Sequence, residues 1–236
     1  MLACGLSDPL CQALSAIVKF IPPLLKTIQD RLLDLLSHIL SGQPYKPLGA
    51  PPLLTHTDYS QLNATQISTD KNPEIITLAL RTLGTFDFTG HILNEFVRTC
   101  ALPYLEDDNS RVRAAAAETC CTLFIKDPIC YQASSHAIEV ISDVLDKLLT
   151  VGIADPDPHI RNIVLKNLHE KFDKHLAQAE NVRSLFIALN DEVMDNREAA
   201  VALIGRLAKH NPAYVMPSLR KALIQLLTEL EYSTVL

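Results

Sequence analysis

The sequence predicts an all-α chain: a HEAT-type α-solenoid of about five helix pairs. Three observations predict it. An Asp stands six residues before an Arg three times, as Asp107/Arg113, Asp155/Arg161 and Asp191/Arg197, and each Arg opens an apolar segment of helical period. The Arg positions lie 48 and 36 residues apart, and a fainter copy at Asp70, with Ile76 in the Arg position, lies 37 residues before Arg113. Spacings of roughly 35–47 residues built from helix pairs are the mark of HEAT and armadillo arrays. Finally, 48% of the 236 residues are hydrophobic and only seven are Gly, which suits buried helix faces rather than turn-rich sheets.

Taken in order, the apolar period gives about ten helices. The first runs over about 8–20, with Leu10, Leu14, Ile17 and Ile21 on one stripe. The second runs over 22–40, with Leu25, Ile28, Leu32, Leu36 and Ile39 at helical spacing. Pro22 and Pro23 fit its first turn, where an N–H has no partner to lose, and Gly42 ends it. Residues 43–72 hold Pro44, Pro47, Pro51 and Pro52 and then a polar run, and read as a mobile insertion. A connection of about 30 residues far exceeds the usual 4–6 or so. A docking or phosphorylation segment using Thr55, Thr57, Ser60, Ser68 or Thr69 is the sharper alternative. Further helices are expected at about 73–86, 89–105, 109–126, 133–151, 157–171, 175–190, 194–210 and 213–231. The boundaries that follow are 1–42 for the first pair, 43–72 for the insertion, then pairs at 73–106, 107–152, 153–190 and 191–236.

Two local sequences carry physical detail. Ala114 to Ala117 remove side-chain bulk, so a neighbouring helix can approach closely. Asp155-Pro156-Asp157-Pro158 sets a short turn, with carboxylates at a helix N-terminus and Pro in the first turn. Carboxylates there accept otherwise unpaired N–H groups and meet the positive end of the helix dipole. The Asp…Arg pairs follow from the same physics. Each Asp sits in a turn within a pair, each Arg in the first turn of the next helix. Stacking brings an Arg near the Asp of a neighbouring repeat, forming a ladder that sets register between repeats rather than raw stability. A catalytic acid–base pair is the competing reading, but such a site is normally single and this pairing recurs.

Several functions are excluded. The net charge of −6 argues against nucleic acid, which calls for clustered Lys and Arg. No stretch of about 20 residues is apolar and uncharged, so no membrane insertion is expected, and the N-terminus lacks a signal-peptide pattern. Cys4, Cys11, Cys100, Cys120, Cys121 and Cys130 show no C-x-x-C spacing, and read as reduced packing residues of an intracellular chain rather than zinc ligands. His169 and His175 lack a third metal ligand at motif spacing and read as solvated. Asp87-Phe88-Thr89-Gly90 superficially resembles a kinase Asp-Phe-Gly motif, but carries an extra Thr and has no phosphate loop, so it reads as a turn. Asn63-Ala64-Thr65 is a glycosylation sequon without a secretory signal. No Walker loop, nucleophile elbow or Cys/His nucleophile arrangement is present. Hence no catalytic, cofactor or metal residue is expected.

The text becomes specific in the C-terminal two thirds. VGIADPDPHIRNIVLKNLHEKFDKHLAQAENVRSLFIALNDEV, residues 151–193, resembles the N-terminal HEAT region of the target-of-rapamycin protein kinases. So do residues 197–233, REAAVALIGRLAKHNPAYVMPSLRKALIQLLTELEYS, and residues 76–91, ITLALRTLGTFDFTGH. The match runs over roughly 58–236, and its form is closer to fungal than to animal members. The resemblance implies a large Ser/Thr kinase of nutrient-responsive growth control, whose ATP-binding catalytic domain lies far C-terminal of this segment. It implies a curved non-catalytic arm that takes part in a dimeric assembly and meets raptor-like or rictor-like scaffold subunits. It also implies a cytoplasmic complex, peripheral at endomembranes such as the vacuole or lysosome. Exposed ridge and turn residues such as Arg183 and Glu192 are the candidate contacts. The alternative is a free-standing HEAT adaptor, a phosphatase scaffold or transport receptor.

Overall fold

A computed structural model describes residues 22–41, 72–85, 93, 96–132 and 134–234, and every described regular element is helical. The expected helix over 8–20, the insertion over 43–72 except Asn72, and the turn at Asp87 lie outside the described residues. The chain divides into two compact units, Met1–Phe88 and Thr89–Leu236.

In the first unit, α1 (Pro22–Ser41) packs against α2 (Pro73–Thr85). Leu32, Leu36 and Leu40 are buried on α1, one turn apart. Ile76, Ala79, Leu80 and Leu83 are buried on α2 at the same period. The α2 N-terminus is capped by Asn72, whose Oδ1 accepts the Glu74 N–H at 2.9 Å.

The second unit is a two-layer HEAT-type stack. One layer holds the segment Val97–Glu106, α4 (Ser135–Ala154) and α6 (Ala179–Ala188). The other holds α3 (Ser110–Phe124), α5 (Pro158–Asn167) and α7 (Met194–Leu207). Within the second layer α5 packs on α3 and then α7 on α5, while α6 packs on α4 in the first. Short turns join α4 to α5 and α6 to α7, and the joined helices pack on each other. The last helix, α8 (Val215–Thr234), follows a short 3-10 turn.

Three expected elements differ from the observed ones, for identifiable reasons. Of the continuous helix expected over 89–105, the described stretch is a π-turn, Val97–Ala101, running into a 3-10 segment, Leu102–Glu106. Pro103 cannot donate an N–H and its ring would clash one turn back, so the chain changes register on both sides of it. The helix expected over 157–171 stops at Asn167, and the one expected over 175–190 is split into a single helical turn, Asp173–Leu176, and α6 from Ala179. Between Asn167 and Ala179, Phe172 stacks on Phe124 with ring centroids 5.3 Å apart, and Asp173 is buried. Those tertiary contacts override local helix propensity.

The core explains the small residues. Ala115, Ala116 and Ala117 are buried on α3, which lies against both Leu102–Glu106 and α5. Cys100, Cys120 and Cys121 are buried there, none of them in a disulfide. Burial pushes the Cys121 thiol up to about 12, and the Cys120 thiol also well above its ordinary value, so neither is a thiolate at neutral pH. A Cβ on Gly152 would come within 2.9 Å of Val164 Cγ1, because α4 and α5 cross closely at that point. Val164 is fully buried and β-branched, so it has little freedom to move aside. Gly152→Val should therefore destabilise the unit by about 1–3 kcal/mol, the usual scale of overpacking. Urea unfolding checks this, and an unchanged midpoint would refute the close crossing.

Candidate functional site

The three Asp…Arg pairs form one repeated device. At each turn the Asp uses its side chain and its backbone for different purposes. Its Oδ1 accepts the N–H two residues on: Asn109 for Asp107, Asp157 for Asp155 and Val193 for Asp191, at 2.9, 2.8 and 2.9 Å. This Asx turn bends the chain into the next helix. The following residue caps that helix where it can. Asn109 accepts from the Arg111 N–H and Asp157 from the His159 N–H, each at 2.9 Å, whereas Val193 has no capping side chain.

The Arg six residues on reaches back to the same turn through the backbone. Nη1 of Arg113, Arg161 and Arg197 donates to the carbonyl of Asp107, Asp155 and Asp191 at 2.9, 2.7 and 2.7 Å. The constant spacing of six is the reach of a first-turn guanidinium to the carbonyl just before its own helix. In Arg113 and Arg161 the remaining guanidinium N–H groups point onward, whereas Arg197 Nη2 donates to Met194 Sδ of its own helix at 3.1 Å. Arg113 donates through Nε and Nη2 to Asp155 Oδ2 and Oδ1 at 2.9 and 3.1 Å. Arg161 does the same to Asp191, at 2.7 and 3.0 Å. Each rung is thus a bidentate guanidinium–carboxylate pair between successive helix pairs, the geometry that suits Arg and not Lys.

The rungs are shielded. The Asp155 and Asp191 side chains are 3% and 4% exposed, and their Arg partners 12% and 9%. Burial alone would raise the Asp191 pKa. Hydrogen bonds from Arg161, the Val193 N–H and Asn196 outweigh it and hold the carboxyl below its ordinary value. The Arg113 and Arg161 guanidinium groups are raised, chiefly by their bonds to Asp155 and Asp191. Asp70 lies outside the described residues, and Ile76, in the Arg position of the faint copy, is buried as an apolar residue. Arg183 is exposed on α6. Glu192, also exposed, accepts from Arg161 Nη2 at 3.2 Å and so borders the ladder.

Several partners were not visible in the spacing. Asp173 receives Arg206 Nε at both oxygens, at 3.0 and 3.1 Å, while Arg206 Nη2 also donates to the Leu168 carbonyl at 2.8 Å. Asn196 is fully buried; it donates to the Pro158 carbonyl at 3.0 Å and accepts from Asn162 Nδ2 at 2.8 Å. Asp127, also fully buried, accepts from the Leu93 N–H and, at 2.7 Å, from the Ile129 N–H. Each ties segments more than 30 residues apart, and none recurs along the chain, so no periodic signal announces them. His175, read as solvated, instead has its Nδ1 buried without a hydrogen-bond partner, and burial lowers its pKa. Among the described residues no group of three or more His, Cys, Asp or Glu is placed to hold a metal ion.

The two rungs thus join each helix pair to the next. Comparison with known proteins places the chain. No family model matches it. It is 53% identical over 98% of its length to the serine/threonine-protein kinase tor1 of Schizosaccharomyces pombe. It is 40% identical over 99% of its length to TOR2 of Saccharomyces cerevisiae, and 39% over 99% to TOR of Arabidopsis thaliana. In each case the chain spans about 10% of the relative's own length. With similarity of this extent on a HEAT-type stack, the chain belongs to the target-of-rapamycin family of Ser/Thr protein kinases, as a segment of it.

Proposed function

We propose that this segment is a non-catalytic scaffold arm of a target-of-rapamycin kinase, which holds accessory subunits and contributes to a dimeric assembly. The observation that carries this reading is a ladder-held stack with large apolar residues left exposed. Val215, Met216, Leu219, Leu223, Ile224 and Leu227 are all exposed on α8. Exposed contiguous apolar surface of that kind marks a protein contact or a neighbouring repeat. The relatives are kinases and not free-standing adaptors, which supports the scaffold reading over the adaptor one. In this reading the raptor-like and rictor-like scaffolds are the partners, and nucleic acid is not. No helix among the described residues is long and apolar enough to cross a membrane. Residence at the cytoplasmic side of endomembranes would then come from the whole complex.

Charge reversal of ridge residues in the full-length kinase tests this. Arg183→Glu should reduce co-purification of a raptor-like or rictor-like subunit several-fold while leaving the unfolding midpoint unchanged. Glu192 is the poorer probe, because its reversal places a cation beside Arg161 and disturbs the ladder. If a scan of exposed residues over 96–234 left every subunit and the dimer bound, the segment would be a spacer. The isolated segment is also expected neither to bind ATP nor to phosphorylate protein, which nucleotide titration and a kinase assay check.

A further inference from the structure

A groove of about 380 Å³ runs between α4 and α6 on the first layer. Asp146, Leu149, Thr150, Ile153 and Ala154 line it from α4, and Glu180, Asn181, Ser184 and Ile187 from α6. Both stripes have the same polarity. Each runs from an acid, Asp146 or Glu180, to an isoleucine seven residues on, Ile153 or Ile187. Seven residues of helix rise about 10 Å, so the groove has an acidic end and an apolar end roughly two turns apart.

No Lys or Arg is among the residues that line the groove. Burial, then the neighbouring Asp143 and Glu180, raise the Asp146 carboxyl above its ordinary value. Asp143 faces Arg98 at 3.8 Å, but that pair lies off the groove lining, as does Arg183. Two of the other polar groups are already committed. The Thr150 hydroxyl donates to the Asp146 carbonyl at 2.8 Å, and Asn181 Nδ2 to the His175 carbonyl at 2.9 Å. At the other end Ile187 is 61% exposed, a large apolar side chain held in water.

We propose that this groove docks a basic amphipathic segment of another protein. A Lys or Arg of the segment sits between Asp146 and Glu180, and an apolar side chain seven residues away covers Ile153 and Ile187. Charge complementarity selects the occupant: an acidic segment is repelled at one end, and a wholly polar one leaves the isoleucines exposed. The helix-in-groove mode matches a site about two turns long between two helices. The proposal rests on reading the chain as a protein-binding arm, and it names the chemistry of one partner and the face that takes it.

The probe is a fluorescent 18-residue helical peptide of Lys and Leu with a basic and an apolar residue seven apart, titrated into the full-length kinase. The same peptide with Glu for Lys is the control. The Lys peptide should bind, and the Glu peptide should not. The variants Asp146→Lys/Glu180→Lys and Ile187→Asp should each weaken the Lys peptide about tenfold or more, as expected for losing charge or apolar contacts at a docking site. A photo-crosslinker at the peptide centre should label α4 or α6. Unchanged affinity in both variants, or crosslinks elsewhere, would overturn the proposal. Accessory-subunit co-purification in the same variants separates the two readings. Peptide binding lost with subunits retained supports the groove but removes it from subunit recruitment. Subunits retained with no Lys-peptide binding in the parent kinase overturns the groove and leaves the scaffold arm standing.

Discussion

Arg161→Ala should destabilise the stack by about 3–5 kcal/mol, the cost of leaving a buried carboxylate without its guanidinium. Arg161 is the more deeply buried of the two rung arginines. It holds the Asp155 carbonyl within its own turn, both Asp191 oxygens in the next, and Glu192 at the edge. Asp191 would keep the Val193 N–H, but its side chain is only 4% exposed, so water cannot replace the lost bidentate pair. Arg161→Lys should recover only part of the loss, since an ammonium cannot span two oxygens and a carbonyl in that geometry. The pH dependence has a definite sign. The folded Asp191 carboxyl is held below its unfolded value of about 3.9, so its contribution is fully present above that value. It is lost as pH falls through the lowered folded value. The gap between parent and Arg161→Ala is therefore widest near neutrality and narrows in acid. Urea unfolding between pH 7 and pH 3 measures both; a constant gap would contradict the assignment to Asp191.

Phe124→Ala should cost about 3–5 kcal/mol, the usual range for deleting a buried aromatic ring. Phe124 is fully buried at the end of α3, and its ring stacks on Phe172 at an interplanar angle of 16°. That contact joins α3 to the turn after α5, and deleting the ring leaves a cavity facing the 3-10 turn Glu170–Phe172. Phe124→Leu keeps most of the volume and should cost clearly less. Unfolding midpoints of the two variants check the ordering, and equal costs would show that the stack rather than the volume is what matters there.

The fold was legible because its signals are periodic. Stripes such as Leu32, Leu36 and Leu40, or Ile76, Leu80 and Leu83, report a helix without any knowledge of its neighbours. The turn chemistry at Asp155–Pro158 is local for the same reason, since the Asx turn, the cap and the proline all act within four residues. The Asp…Arg spacing was visible, but its cause was only half visible. A spacing of six comes from the Asp carbonyl, which any residue could supply; the carboxylate takes the N–H two residues on and, at Asp155 and Asp191, the Arg of the preceding pair. Arg206 with Asp173, and Asn196 with Asn162, could not be read, because such pairs depend on how two layers register in space. The irregular segment at 97–106 was announced only by Pro103, a single residue inside an otherwise helical pattern.

A double-mutant cycle on Arg161 and Asp191 tests the ladder most directly. Arg161→Ala, Asp191→Ala and the double variant, unfolded in urea beside the parent, should give a coupling of about 0.5–3 kcal/mol, as for residues in direct contact. The same cycle on Arg113 and Asp191, which belong to different rungs, should give a coupling near zero. A ladder that joins successive helix pairs rung by rung predicts that contrast. A coupling near zero for Arg161 and Asp191, or one of equal size for both cycles, would contradict it.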